Sequence, residues 1–507
     1  MYEIYPNWVE PETGERDARA HLRLNQMRDK LTNRFLFPFV TTVTPYARVT
    51  SWLVWIYSIT RSLINEREIR KYSEYKKEFD RLYSIFSTAD TLHGQRESHN
   101  GPVGRNNCAS ALRKNENNEI NFREKPFSSL SSPESRYRTP LSNMGLGVEM
   151  QQSLGDRSAI FLELTDKGKK LAEVFDENLP NSREKYLDKD VWKEEDLTKL
   201  GKEICVFKVL ESKEELSLLL GSIKSSYKSS KFFDSLIKFS KNILDISQDL
   251  SYNHIPRASL SSQVKLEEKI KIIEINKDDQ DAIGTLAFHE LHALTNLASL
   301  AILQSLSEFA KKNKDFGVKE KTVIERVENA MRDSGIFNFE NNLSKIQSIF
   351  KQNCLDLESD YIENYPPLTE ELGLSTLEKY IQENQKENYF KCIGYSSALL
   401  LVSSFIYEKF RENWLNENLP GHRKFFGIHT FEEPLDQMKN STFEKWTKEC
   451  ISTIISQHLK VARSKGPHGY MIDYKNGKII YQESLRANTN RGRFEYAIDW
   501  FSQLELF

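Results

Sequence analysis

Two stretches of strand-like alternation, one within residues 136–178 and one within 469–507, interrupt a chain patterned almost throughout for helix. They constrain the fold most, because a side-chain period of two and a period of 3.6 cannot be met by the same segment. In the first stretch a short helix is expected to end near Met144-Gly145-Leu146-Gly147. Residues 148–151 then read as a strand, Leu154-Gly155-Asp156-Arg157 as a turn, and 159–164 as the return strand. Ile160, Leu162 and Leu164 fall on one face at period two. Thr165 is placed to cap the next helix, with Asp166 in its first turn, where the helix dipole favours a negative charge. Leu171, Val174 and Phe175 supply that helix with a buried side. Helix end, two-stranded wing and capped helix are the parts of a winged helix-turn-helix.

In the second stretch, residues 470–474 and 478–482 read as strands around Asn476-Gly477, a strong hairpin signal because both positions tolerate positive φ. Thr489 can cap a last helix carrying Phe494, Ala497, Ile498 and Phe501 on one side. Trp500, Leu504, Leu506 and Phe507 add apolar surface, and so apolar a terminus is expected to dock on its own body or on a partner. The expected fold is mainly α: a helical region over 1–135, a winged-helix-like module over 136–180, a helical domain over 181–466, and a hairpin-helix module, also winged-helix-like, over 467–507.

Bulk properties narrow the function classes. With 71 Lys and Arg against 73 Asp and Glu, the net charge is -2, so any nucleic-acid contact must come from a local patch. The five cysteines are dispersed, with no C-x-x-C pair, which argues against a disulfide framework or structural zinc and for a reducing, cytoplasmic setting. No leader pattern opens the chain. Its longest apolar runs, 49–59 and 393–407, fall short of the roughly 20 residues that span a bilayer, so they are read as core helices and no membrane partner is expected.

Other helices follow from periodicity. Residues 13–31 carry a basic side through Arg16, Arg19, Arg23, Arg28 and Lys30. Thr44 and Pro45 suit the start of a helix through Trp52, Trp55 and Ile56. A helix over about 65–86 has the stripe Ile69, Tyr72, Tyr75, Phe79, Leu82 and Phe86. Residues 91–107, polar and glycine-rich, are expected to break helix, and 127–139 to form a linker. From 182 to 466 the pattern is almost wholly helical, with 281–311 apolar on nearly every side and therefore central. Leu377 to Ile381 and then 393–414 form another long helical region, 443–462 is amphipathic, and the Lys- and Ser-rich 222–231 is expected as an exposed connection.

Linear catalytic motifs are sparse. His289-Glu290-Leu291-His292 resembles half of a metal site, but the histidines are three apart rather than four. Inside so apolar a helix they are read as packing residues, as is His458, and no metal or cofactor is assigned. The 94–104 loop lacks the G-K-[ST] of a phosphate loop, and His99-Asn100 has no second nuclease half. Read as a DNA-binding element, the first module would present Arg136, Arg138, Asn143, Arg157 and Lys167, with Arg105 from the preceding loop. Read as a protein-binding element, it needs none of them. The second module offers Tyr470, Ile472, Tyr474, Phe494, Trp500 and Phe507 as aromatic-rich candidates for a protein partner.

The block DKLTNRFLFPFVTTVTPYARVTSWLVWIY, the GPVGRNN loop, LTDKGKKLAEVFDENLP and the C-terminal hairpin-plus-helix resemble accessory proteins of bacterial anti-phage defence clusters. The resemblance covers about the first 180 and last 45 residues. It implies a non-catalytic, kleisin-like subunit beside an SMC-type ATPase, as in Lamassu-type systems, with a nuclease effector and double-stranded DNA as further candidate partners. It carries no catalytic residue onto this chain. A stand-alone winged-helix DNA-binding regulator or specificity subunit is the alternative, and a metal-dependent hydrolase using His289 and His292 a third reading.

Overall fold

The computed structural model describes residues 22, 31–40, 46–66, 68–97, 119–123, 133–155, 157–179, 183–246, 254–261, 263–266, 269–272, 277–313, 317–352, 374–410, 426–465, 471–482 and 494–506. Of these, 74% are helical and 10% are strand, so the fold is mainly α as the periodicity requires. The chain divides into two compact units: 32–237 together with 492–507, and 1–31 together with 238–491. They are called here the hairpin unit and the helix-pair unit.

The hairpin unit is built on α1 (Val49–Asn65) and α2 (Tyr72–Glu97). Trp52, Leu53, Trp55, Ile56 and Ile59 of α1 are all buried, and Trp55 stacks on Phe86 of α2 at 5.3 Å. α1 starts at Val49; Thr44 and Pro45 lie outside the described residues. The expectation that helix breaks at residue 91 is corrected, because α2 runs to Glu97. Its polar letters are accommodated by hydroxyls that donate back along the helix: Ser84 to the Asp80 carbonyl at 2.6 Å, Thr88 to Ser84 at 2.7 Å and Thr91 to Ser87 at 2.7 Å. A hydroxyl so occupied can be buried without losing a hydrogen bond.

After β1 (Glu119–Asn121) come α3 (Pro133–Asn143), β2 (Gly147–Leu154), β3 (Arg157–Leu164) and α4 (Asp166–Glu177), the order expected from the sequence. β2 and β3 pair antiparallel from Gly147↔Leu164 to Leu154↔Arg157. Gly155 turns the chain with φ +66°, and Thr165 caps α4 by accepting from the Gly168 amide. α5 (Arg183–Asp188) leads to β4 (Val191–Lys193), which pairs with β1 and is a short strand in a stretch read as almost wholly helical. α6 (Glu194–Ile204), α7 (Lys213–Ser225) and α8 (Ser230–Ile246) follow, and the division between the units falls inside α8. The expectation that 222–231 forms an exposed connection is corrected: 222–225 end α7 and 230–231 begin α8, with Ser222, Ile223 and Tyr227 buried and the Tyr227 hydroxyl donating to the Leu36 carbonyl at 2.7 Å.

In the helix-pair unit, α9 (His254–Ser261) and the hairpin of β5 (Gln263–Leu266) and β6 (Lys269–Ile272) precede α10 (Gln280–Lys311). β7 (Val318–Lys319), α11 (Glu320–Met331), α12 (Leu343–Gln352) and α13 (Leu374–Glu387) come next. Asn388 then ends one helix and starts another, its Oδ1 accepting from the Phe390 and Lys391 amides, so the region expected as one helical stretch is α13 followed by α14 (Tyr389–Phe410). α10 and α14 run antiparallel: Phe309 meets Phe390 at 4.8 Å near one end, and Phe288 meets Tyr407 at 6.4 Å near the other. Both helices are long and apolar enough to cross a membrane by length and composition, and their apolar windows are 100% and 78% buried within the fold.

α15 (Glu432–Gln437) and the amphipathic α16 (Phe443–Lys465) complete the helical part. β8 (Ile472–Lys475) and β9 (Lys478–Tyr481) form the second hairpin, with Asn476 and Gly477 at φ 53° and 72° as their turn requires. β7 pairs with β9, Val318 opposite Ile479, making a three-stranded sheet ordered β7-β9-β8. The last helix, α17 (Phe494–Gln503), is grouped with the hairpin unit, and β8 and β9 with the helix-pair unit. Of the helix expected over 13–31, only Leu22 and Leu31 are described.

Candidate interaction surface

The β2–β3 hairpin is held by its inner strand and exposed along its outer one. Phe161 of β3 lies under two α2 tyrosines, with ring centroids 5.7 Å from Tyr72 and 4.9 Å from Tyr75. Leu162 and Leu164, on the opposite face, are buried, whereas Ile160 is 41% exposed. The single apolar face expected through Ile160, Leu162 and Leu164 is therefore corrected: α2 covers Phe161 on the other side, and Ile160 lies nearer the hairpin tip. On β2, Val148 is 54% and Met150 53% exposed, two residues apart and so on one face. Apolar side chains so exposed on a strand mark a contact surface or an aggregation risk.

Polar contacts fix this hairpin in place. Arg61 of α1 pairs with Glu163 at 2.9 Å and donates to Gln152 Oε1 at 2.6 Å. Arg138 of α3 donates to the Ile160 carbonyl and lies 3.7 Å from Glu134. Thr139 donates to Glu149 at 2.9 Å. What results is a positioned apolar face rather than a reacting group.

The residues expected to meet DNA are engaged by separate neighbours. Arg136 is half-buried on α3. Arg138 is held as above, and Asn143 donates to the Pro38 carbonyl at 2.8 Å. The Arg157 guanidinium lies over the Tyr72 ring at 5.3 Å. Lys167 donates to Ser225 Oγ at 3.1 Å, and partial burial lowers its pKa. Arg105 lies outside the described residues.

The residues expected to meet a protein partner at the C-terminus are corrected more sharply. Ile472, Phe494 and Trp500 are at most 2% exposed. Ile472 is buried in the helix-pair unit, while Phe494 packs on Phe37 at 5.7 Å and Trp500 on Phe39 at 5.4 Å within the hairpin unit. Side chains that fill their own core present no face to a partner. Tyr474 is half-buried and donates to Glu320 Oε2 at 3.0 Å, while Tyr470 and Phe507 lie outside the described residues.

His289, Glu290 and His292 are buried in α10, as the apolar character of that helix implies. A Cβ on Gly427 would stand 3.5 Å from both His292 Nδ1 and His429 Nδ1, so Gly427 lies beside these two imidazoles. Among the described residues no group of three or more His, Cys, Asp or Glu is placed to hold a metal ion. His458 Nε2 accepts from the Met471 and Ile472 amides at 3.1 and 3.4 Å, tying α16 to β8.

Sequence reading misses the charges buried in the hairpin unit. Arg48, 3% exposed, meets the fully buried Glu215 through two nitrogens at 3.1 and 3.2 Å and donates to the carbonyls of Glu203 and Cys205. Asp90 accepts from the Val206 amide at 3.1 Å, and burial pushes its carboxyl up to about 7. Glu134 is also raised to about 7, first by burial. No local motif announces Arg48, Glu215 or Asp90, because their partners lie on other elements.

Comparison with protein-family models, with curated proteins and with solved structures gives no match.

Proposed function

We propose that this chain is a non-catalytic accessory subunit of a bacterial anti-phage defence complex. Its β2–β3 hairpin docks on an SMC-type ATPase, in a cytoplasmic assembly that can include a nuclease effector and DNA. The observation that carries the docking role is the exposure of Val148 and Met150 on the outer strand of a hairpin whose return strand is anchored by Phe161, Leu162 and Arg138. The choice of ATPase comes from the resemblance of the N-terminal block and of LTDKGKKLAEVFDENLP to accessory proteins of defence clusters. Protein contact is favoured over DNA because Arg138, Arg157 and Lys167 each already meet an internal partner.

The test is a double substitution, Val148→Asp with Met150→Asp, in tagged full-length protein recovered from its native host. Surface changes of this kind alter stability by about 0.5 kcal/mol or less. The expected outcome is unchanged folding by circular dichroism with loss of a co-purifying SMC-type ATPase. Retention of that ATPase by the variant would refute the hairpin as the docking face. Steep salt-dependent duplex binding, weakened by Arg136→Ala with Arg138→Ala, would favour the DNA-binding regulator instead.

A further inference from the structure

The two strands of the exposed hairpin differ in what their outer edges meet. The Thr165 amide donates to the Leu146 carbonyl at 3.1 Å, which sets the alternation: even-numbered residues of β2 bond across to β3, and odd-numbered ones turn their amides and carbonyls outward. On β3 the outward positions are the even ones, and the Ile160 carbonyl there is taken by Arg138. On β2 they are Glu149, Gln151 and Ser153, and among the described residues no hydrogen bond reaches their outward backbone groups. The usual defences of an open edge are missing as well. β2 pairs over 8 residues without a bulge and carries no proline, lysine or arginine. A long, regular edge without these devices is a template for another strand.

The side chains of β2 complement a second copy of the same strand. Outward groups sit only at odd positions, so two antiparallel copies pair odd with odd. With the two-fold axis at Met150, Glu149 of each copy stands opposite Gln151 of the other, and Val148 opposite Gln152. Thr139 donates to Glu149 Oε1, and Gln151 Nε2 gives one hydrogen to Ser158 Oγ. The second carboxylate oxygen of Glu149 and the second amide hydrogen of Gln151 are left to meet across the axis, twice. An axis at Glu149 would instead set two carboxylates directly opposite each other, which is destabilising. On the other face the two Met150 side chains meet at the axis, each with a Val148 of the other copy on its diagonal.

We infer that β2 pairs antiparallel with β2 of a second copy of this chain, with the two-fold axis at Met150, to make a four-stranded sheet ordered β3-β2-β2-β3. The pairing uses the backbone edge and leaves the face of Val148 and Met150 open, so a dimer presents that apolar face twice over. It goes beyond the docking role and stands whether or not the face holds an ATPase.

Light scattering on the purified full-length protein over a range of concentrations, together with cysteine cross-linking, tests it. The parent is expected at twice the mass of one chain. Gln151→Pro removes an outward amide but no bond to β3, so it should fold as the parent does by circular dichroism and run as single chains, while Gln151→Ala should stay paired, more weakly. Met150→Cys should give a covalent dimer on mild oxidation, because the Cα atoms of a directly opposed, non-hydrogen-bonded pair stand about 4.5 Å apart. Val148→Cys should not, since in this register the two copies of residue 148 lie about 14 Å apart along the strands. Should Gln151→Pro lose its fold, the two cysteine variants decide alone. A parent that stays a single chain at every concentration, a paired Gln151→Pro, or cross-linking at 148 as ready as at 150 would overturn the pairing. A single-chain parent that still recovers an SMC-type ATPase would sink the dimer and leave the docking role standing.

Discussion

Both units return buried hydroxyls to their own helices, but among the described residues the buried arginines, Arg48 and Arg81, lie in the hairpin unit. The hairpin unit buries full charges and joins distant segments with them: Arg48 to Glu215 and two carbonyls, Arg81 to the carbonyls of Tyr186, Leu187 and Lys189. The helix-pair unit places small neutral hydroxyls along α10 and α14, some returned to their own helix, as Ser397 to Ile393 and Ser404 to Leu400. Breaking a buried ion pair leaves an uncompensated charge, whereas removing a small hydroxyl leaves at most a small void. Single substitutions at the arginine contacts of the first unit are therefore expected to cost more than removal of a small hydroxyl from α10 or α14 of the second.

The largest break should come at Arg48 or Glu215. Arg48→Ala or Glu215→Ala alone is expected to cost about 3–5 kcal/mol in urea unfolding. The paired change Arg48→Met with Glu215→Leu should cost far less. If each single variant costs under about 1 kcal/mol, the charges are not what ties these segments together.

Next in size is a contrast between two helix-contact glycines. A Cβ on Gly201 of α6 would stand 2.0 Å from the Ala89 backbone carbonyl, whereas one on Gly394 of α14 would meet the flexible Met331 Sδ at 2.4 Å. Gly201→Ala is expected to cost about 2–3 kcal/mol, and Gly394→Ala about 1 kcal/mol, because a side-chain end can move and a helix backbone cannot. Thermal melts of both variants would show the order; equal losses would erase the contrast.

A third test uses pH. The Asp90 and Glu134 carboxyls sit near 7 in the fold against usual values of 3.8 and 4.5. Between those limits the folded chain keeps protons that the unfolded chain has released. Their contribution to stability is thus fully present below the unfolded values and lost as pH rises through about 7. Asp90→Asn should flatten this fall by on the order of 1–3 kcal/mol, measured as the change in unfolding free energy between about pH 5 and about pH 8. A profile unchanged by Asp90→Asn would show that Asp90 ionises at its ordinary pKa.

The smallest effect is expected at Ser299 and Ser403, whose buried hydroxyls have no hydrogen-bond partner among the described residues. Ser299→Ala and Ser403→Ala should change stability by about 0.5 kcal/mol or less, toward greater stability, because each removes an unsatisfied buried group. A loss above about 1 kcal/mol in denaturant titrations would reveal a partner for the hydroxyl.

What the sequence made legible was local. Thr165 as a cap, Asn476-Gly477 as a turn and the alternation around residues 148–164 depend on residues a few positions apart, and the structure places them as read. What it hid depends on distant partners. Val318 pairs with Ile479 and Ile120 with Trp192, pairings that no short window contains. The buried end of α2 looked like a loop because hydroxyl back-bonding is not encoded in hydropathy. Phe161, to which the alternation gave no role, is buried because Tyr72 and Tyr75 cover its face, while Ile160 is exposed. The candidate surface was only half legible: the hairpin itself was readable, whereas Val148 and Met150 emerged as exposed only once β3 was seen to be the anchored strand.

The most direct test of the central claim is quantitative affinity purification from the native host after nuclease treatment, comparing the parent chain with the Val148→Asp, Met150→Asp variant. The account predicts a stoichiometric SMC-type ATPase with the parent and its loss from a folded variant. An ATPase bound equally by both, or a parent chain recovered alone or only with DNA, would contradict it.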